Sequence, residues 1–91
     1  MPVEVHIPTS LRRLTQGRRT LQVEAHTLRE VIERLEGLFP GFRDRLLDER
    51  GELKGYINIY HNGRDIREKG GLSTALKSGD SISILPALAG G

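Results

Sequence analysis

The sequence has no cysteine, no tryptophan and a single methionine. Without thiols, disulfides, thiolate metal sites and cysteine nucleophiles are all excluded. Aromatic residues are scarce: Phe39, Phe42, Tyr56 and Tyr60 are the only four in 91 residues. They are too few and too scattered to form a platform for stacked bases. An excess of one charge sign is also missing, since 14 Lys and Arg face 12 Asp and Glu for a net charge of +2. The two signs interleave, as in RLLDERGELKG, so there is no basic stripe and no nucleic-acid partner is expected. No apolar run approaches the ~20 residues needed to cross a bilayer. The opening MPVEVHIP has no basic region followed by an apolar core, so neither a secretory signal nor a membrane partner is expected. The expected compartment is the cytoplasm.

Recognisable catalytic patterns are missing as well. His6, His26 and His61 are far apart in the chain, and none stands three or four residues from another, so no zinc pair is encoded. Neither G-x-S-x-G nor G-x-x-x-x-G-K-[ST] occurs. The carboxylate pairs Asp44/Asp48 and Glu49/Glu52 fall in a polar connection and read as solvated surface rather than as an acid–base pair. The chain is expected to bind no metal and no cofactor of its own.

What remains is one small domain's worth of alternating and helical pattern. VEVHI puts Val3, Val5 and Ile7 on one face of a strand and Glu4 and His6 on the other. Pro8 ends it, Gly17 marks a turn, and Thr20 to Val23 resumes the alternation as the second arm of a loose hairpin. Thr27 followed by Glu30 is a capping box. Leu28, Val31, Ile32, Leu35 and Leu38 then form the apolar stripe of an amphipathic helix, with Glu30 and Arg34 four apart on its outer face. Pro40 and Gly41 stop the helix. The next connection is polar, with Phe42, Leu46 and Leu47 as anchors and one short helical turn.

YINIYHNGRDIR is a second hairpin. Ile57 and Ile59 alternate with Tyr56, Asn58 and Tyr60, and Asn62-Gly63 suits a turn whose two central residues need positive φ. Asp65, Ile66 and Arg67 read as the returning strand. Gly70-Gly71 supports a tight loop with positive φ, which docks Leu72 and Leu76. SISIL is the last strand, with Ile82 and Ile84 inward, and Pro86 ends its pairing because it has no N–H. A hairpin, a helix and three further strands give an α+β fold, one mixed sheet with a helix packed across it. With the first and last strands parallel at its centre, this is the β-grasp, or ubiquitin-like, roll. Residues 1–86 are expected to form this domain and residues 87–91 a flexible C-terminal diglycine tail.

The tail is where chemistry is expected. Leu85, Pro86, Ala87, Leu88 and Ala89 are apolar, whereas a frayed solvated end would usually carry charge, and Gly90 and Gly91 close the chain. Lacking a Cβ, two glycines let the backbone pass a constriction and carry the carboxylate of Gly91 into a partner's active centre. A carboxylate becomes reactive once adenylated, because AMP leaves well. Sulfide or a persulfide can then displace AMP to give a thiocarboxylate, or an amine can displace it to give an isopeptide bond. Tyr60 is placed on the outer sheet face near Leu85, as part of the surface that a partner would meet.

SGDSISILPALAGG, with NIYHNGRDIR and GGLSTALKSGD before it, resembles the sulfur-carrier proteins of the ThiS/MoaD type. HIPTSLRRLTQG, HTLREVIERLE and RLLDERGELKGYINIYHNGRDIR are most similar to the CysO subgroup. The resemblance runs from VEVHIP to the end and implies the β-grasp fold, with the carboxylate of Gly91 as the reactive group and Gly90 as its companion. It implies a protein co-substrate rather than an enzyme, activated by an E1-like adenylating enzyme with ATP. In the CysO route a pyridoxal-phosphate (PLP) cysteine synthase consumes the thiocarboxylate, and a zinc metalloprotease releases the cysteine. In the MoaD route the tail enters the large subunit of molybdopterin synthase; in the ThiS route the acceptor is the thiazole of thiamin. ATP, PLP and zinc would belong to those partners. The long connection GFRDRLLDERGELKG favours the CysO-like route. A ubiquitin-like modifier attached to lysines, and an interaction domain with an irrelevant tail, are the other classes that fit.

Overall fold

The computed structural model describes residues 2–86. Strand β1 (Val3–His6) pairs antiparallel with β2 (Thr20–Val23), and helix α1 (Leu28–Leu38) follows. A short helix α2 (Phe42–Leu46) leads to β3 (Ile57–His61), which turns into β4 (Arg64–Asp65). The last strand, β5 (Ser81–Pro86), inserts between β1 and β3, parallel to the first and antiparallel to the second. The sheet order is therefore β2-β1-β5-β3-β4, and among the described residues its one parallel pair, β1 with β5, involves the central strand. This is the β-grasp arrangement.

Strand alternation decides which face is buried. Val3, Val5, Leu21, Val23, Ile57, Ile59, Ile82 and Ile84 are all buried on the helix side. Helix α1 covers them with Leu28, Val31, Ile32 and Leu35, while Leu38 is 62% exposed at the helix end. Phe42, Leu46 and Leu47 close one edge of this core, as their placement in a polar connection predicts. The Asn62-Gly63 turn has φ of 51° and 87°, the two positive values that the two-residue hairpin requires.

Several local details differ from the sequence reading. Thr27 Oγ1 accepts the Glu30 N–H at 3.3 Å, but Glu30 Oε1 turns back to the His26 N–H at 2.6 Å instead of engaging Arg34. A free backbone N–H ahead of a helix competes well for a carboxylate that a solvated arginine holds only weakly. The returning strand is shorter than Asp65 to Arg67. Asp65 Oδ1 accepts the Arg67 N–H at 2.9 Å and starts a 3₁₀ turn over Ile66–Glu68, which swings Ile66 into the core. Of the two adjacent glycines only Gly71 has positive φ, at 59°; Gly70 has none, and an added Cβ there would lie 3.4 Å from the Thr74 backbone nitrogen. The loop between β1 and β2 carries a 3₁₀ turn over Thr9–Leu11 that buries Leu11.

A buried carboxylate fixes the start of β5. Asp80 Oδ2 accepts from His61 Nε2 at 2.7 Å and from the Lys77 N–H at 2.9 Å, and Oδ1 accepts from Asn62 Nδ2 at 3.1 Å. Asn62 extends the network by accepting the Ser81 N–H at 2.8 Å. Burial by itself would raise the Asp80 carboxyl, but the hydrogen bonds from His61, Lys77 and Asn62 outweigh it and hold its pKa at about 2, against an ordinary 3.8. A depressed folded-state value means stability that is complete above the unfolded pKa and lost as pH falls through the folded one. Between pH about 4 and about 2 the protein should therefore lose up to about 2 kcal/mol through this group. Urea unfolding of Asp80→Asn across that range should show a shallower acid loss than the unsubstituted protein. Identical pH slopes would remove Asp80 from this role.

Candidate functional site

The C-terminal end of β5 is the part of the fold that faces the expected tail. Leu85 and Pro86 pair with Asn58 and Ile57 at the start of β3. Odd-numbered residues of β5 point away from the helix, so Ser81, Ser83 and Leu85 share the outer sheet face with Asn58 and Tyr60 of β3 and with Glu4 and His6 of β1. Leu85 is 48% exposed there and Tyr56, just ahead of β3, is 51% exposed. Tyr60 is half-buried opposite Ser83 and lies diagonally from Leu85. The structure thus puts Tyr60 and Leu85 side by side on the outer face, while Pro86, next along the strand, lies opposite Ile57 on the other face. Ala87, Leu88, Ala89, Gly90 and Gly91 lie outside the described residues.

Two guanidinium groups frame this end, and neither was singled out by sequence pattern. On the β3 side, Arg67 donates to Ile57 O at 2.7 Å, Lys54 O at 3.1 Å and Asn58 Oδ1 at 3.0 Å. It satisfies the carbonyls where β3 begins, beside Pro86, whose missing N–H can satisfy none. On the β1 side, Arg12 Nε donates to Ile7 O at 3.1 Å, and Arg12 lines one cleft with His6, Ser83 and Leu85. On the same face His6 Nε2 lies 2.9 Å from Glu4 Oε2. An apolar patch between two cations can recognise a partner surface that is itself apolar with an acidic rim. Eleven interleaved arginines look alike in sequence; only tertiary placement distinguishes these two.

Of the carboxylate pairs in the polar connection, Asp48 serves the backbone. Asp48 Oδ1 accepts the Glu52 N–H at 3.0 Å and the Arg50 N–H at 2.9 Å, and these bonds hold its carboxyl below the usual range. It is a turn residue, not an acid–base group. His61, weighed in sequence only as a metal ligand, has another role. Its parity with Ile57 and Ile59 marks it as inward, and it is buried against Asp80. Among the described residues no three His, Asp or Glu side chains come together as a metal site.

The ThiS family profile matches residues 5–91. The sulfur carrier protein CysO of Mycobacterium tuberculosis is 46% identical over 93 aligned positions, covering 100% of both chains. Small archaeal modifier protein 3 of Haloferax volcanii is 38% identical over 65 positions, 71% of this chain and 70% of that one. Among solved structures, the BexX/CysO complex of Amycolatopsis orientalis contains a chain that superposes with a TM-score of 0.92 at 42% identity, covering 98% of this chain and 99% of the other.

The Arg67 contacts generate a local prediction. Arg67→Ala leaves the Ile57 and Lys54 carbonyls to water and should cost about 1 kcal/mol of local stability. Amide hydrogen exchange at residues 57–59 and 84–85 should accelerate several-fold, with β1 and β2 unaffected. Uniform acceleration throughout the sheet, or none, would contradict a role confined to this end.

Proposed function

The chain belongs to the ThiS family, and on that footing we propose that it is a sulfur carrier whose reactive group is the carboxylate of Gly91. The observation that carries this reading is the 46% identity to a CysO sulfur carrier across 100% of both chains, within a family match that runs to residue 91. Supporting it, the fold presents a paired apolar strand end at Leu85 and Pro86 with Tyr60 beside it, from which residues 87–91 continue the chain. The body of the domain is the handle; the tail supplies one reactive atom.

The chemistry is divided accordingly. An E1-like enzyme would transfer AMP from ATP to the Gly91 carboxylate, and a sulfur donor would displace AMP to leave a thiocarboxylate. Ala87, Leu88, Ala89 and Gly90 would thread the partner's channel, with Leu85, Pro86 and Tyr60 docking at its mouth. The CysO relatives favour cysteine biosynthesis as the destination. There a PLP-dependent cysteine synthase presents an aminoacrylate, the thiocarboxylate sulfur adds to it, and acyl transfer to the neighbouring amine leaves cysteine in amide linkage to Gly91. A zinc metalloprotease would then release the cysteine. Delivery to the large subunit of molybdopterin synthase is the alternative destination. The modifier relative supports a second reading, in which the same activated carboxyl acylates lysines on other proteins.

Incubation with the adenylating enzyme, ATP and a sulfide source should replace one oxygen of the chain by sulfur, read by intact-protein mass spectrometry. Deletion of Gly91 should abolish that change and leave the melting temperature unaltered; normal loading of a chain ending at Gly90 would refute the mechanism. Gly90→Val should fold normally and load poorly, because a branched side chain would not pass a narrow channel. Added cysteine synthase with an activated serine should yield a chain ending in Gly91-cysteine. Consumption by the pterin system alone would move the destination, and lysine conjugates alone would favour the modifier reading.

Docking has its own readout. Tyr60→Ala should weaken binding to the adenylating enzyme by about tenfold while changing stability by less than about 1 kcal/mol. A large stability loss with unaltered binding would make Tyr60 a structural residue.

A further inference from the structure

At the opposite end of β5 from the tail, three side chains form an amine–imidazole–carboxylate relay. Lys69 Nζ is in hydrogen-bond contact with His61 Nδ1, and His61 Nε2 lies 2.7 Å from Asp80 Oδ2. A lysine ammonium has donors only, so Nδ1 must accept, and the ring proton therefore sits on Nε2 and points at Asp80. His61 and Asp80 are buried, whereas Lys69 is exposed. The backbone aims the lysine at the ring. Lys69 caps the 3₁₀ turn over Ile66–Glu68 with its N–H on Ile66 O at 3.0 Å, and that turn is anchored by buried Ile66.

An accessible nucleophile, a base in hydrogen-bond reach and a buried group orienting the base are the parts of an activated acyl acceptor. We propose that Lys69 is an acylation site of this protein, its amine activated by His61 and Asp80 toward activated carboxyl groups such as acyl phosphates and acyl adenylates. The ammonium first loses one proton to solvent. The neutral amine then attacks the acyl carbon, forming the C–N bond. The second proton passes from the lysine nitrogen to His61 Nδ1, with the imidazolium held by Asp80. The C–O bond to phosphate or AMP breaks, the leaving group takes the electron pair, and His61 returns its proton to water. No oxidant or reductant enters.

The other two lysines are internal controls. Lys54 Nζ donates to Asp44 O at 2.8 Å and lies 5.9 Å from the Tyr56 ring centroid, with no base beside it. Lys77 reaches the same network through its backbone, donating its N–H to Asp80 Oδ2 at 2.9 Å and accepting the Asp80 N–H on its carbonyl at 3.0 Å. One activated carboxyl comes from the function proposed above, namely adenylated Gly91 of a second copy; this identification of the donor, unlike the reactivity of Lys69, rests on that reading. His61 pairs with Ile82 and Pro86 with Ile57, so the relay and the tail base sit about 13 Å apart along β5. A second copy's tail can approach the relay without reversing along its own sheet.

The test treats the full chain with limiting acetyl phosphate and follows acetylation of Lys54, Lys69 and Lys77 by peptide mass spectrometry. Lys69 should react at least about tenfold faster than the other two, the low side of what a positioned general base contributes. His61→Gln should bring it down to their rate, with folding checked by circular dichroism and the two control lysines reporting reagent access. Equal or slower reaction of Lys69 in the unsubstituted protein overturns the proposal without any variant, as does an unchanged advantage in folded His61→Gln. A second arm supplies ATP and the adenylating enzyme without sulfide. A Gly91-to-Lys69 linkage between two chains identifies the adenylated tail as donor. Preference for Lys69 with acetyl phosphate but no such linkage assigns the site to small acyl phosphates, and it leaves the carrier reading untouched.

Discussion

Strand β5 is the constraint on which the other elements depend. It enters last in the chain and lies in the middle of the sheet, parallel to β1 on one side and antiparallel to β3 on the other. Its partners are distant in sequence, so neither hairpin can complete the sheet until β5 arrives. Ile82 and Ile84 then meet Val5 and Ile59 beneath α1, and the core closes. A one-residue slip of β5 would turn both isoleucines to solvent and bring serines inward. The register is held at one end by Asp80, whose carboxylate gathers His61, Asn62 and the Lys77 N–H.

The two ends of β5 have different chemistry. The start is a polar network in which no buried side-chain N or O among the described residues lacks a partner. The end is an apolar strip whose final residue lacks a donor, flanked by Arg67 and Arg12. In the proposed carrier, this asymmetry puts rigidity where the strand is anchored and recognition where the chain leaves the domain. A reactive carboxyl delivered into another protein's active centre needs a fixed handle, because the orientation of the handle sets where five further residues can reach. The same polar network that anchors the strand leaves one lysine resting on an imidazole, which gives the anchored end a reactivity of its own.

The core was legible because periodicity encodes burial directly. Val3, Val5, Ile57, Ile59, Ile82 and Ile84 alternate, Leu28, Val31, Ile32 and Leu35 recur at helical spacing, and all are buried. Asn62-Gly63 was legible because few dipeptides tolerate two positive φ values. The short return of β4 was not, because Asp65 could pair as a strand or cap a turn, and burial of Ile66 decided for the turn. Glu30 was ambiguous in the same way, with Arg34 and the His26 N–H both within its reach along the helix.

The tail motif and the family resemblance came from the order of residues alone, since a terminal Gly90-Gly91 after an apolar strip is a property of the chain and not of its folding. The sequence by itself also determined the element order and the inward face of each long strand, through local sterics and the match of hydrophobic period to secondary structure. Only the tertiary structure selected Arg67 and Arg12 from eleven arginines, and only it joined Lys69, His61 and Asp80. Such clusters bring together residues 8 and 19 positions apart. Their contact depends on which strands lie side by side and where a turn aims a side chain, and no local pattern of residues carries that information.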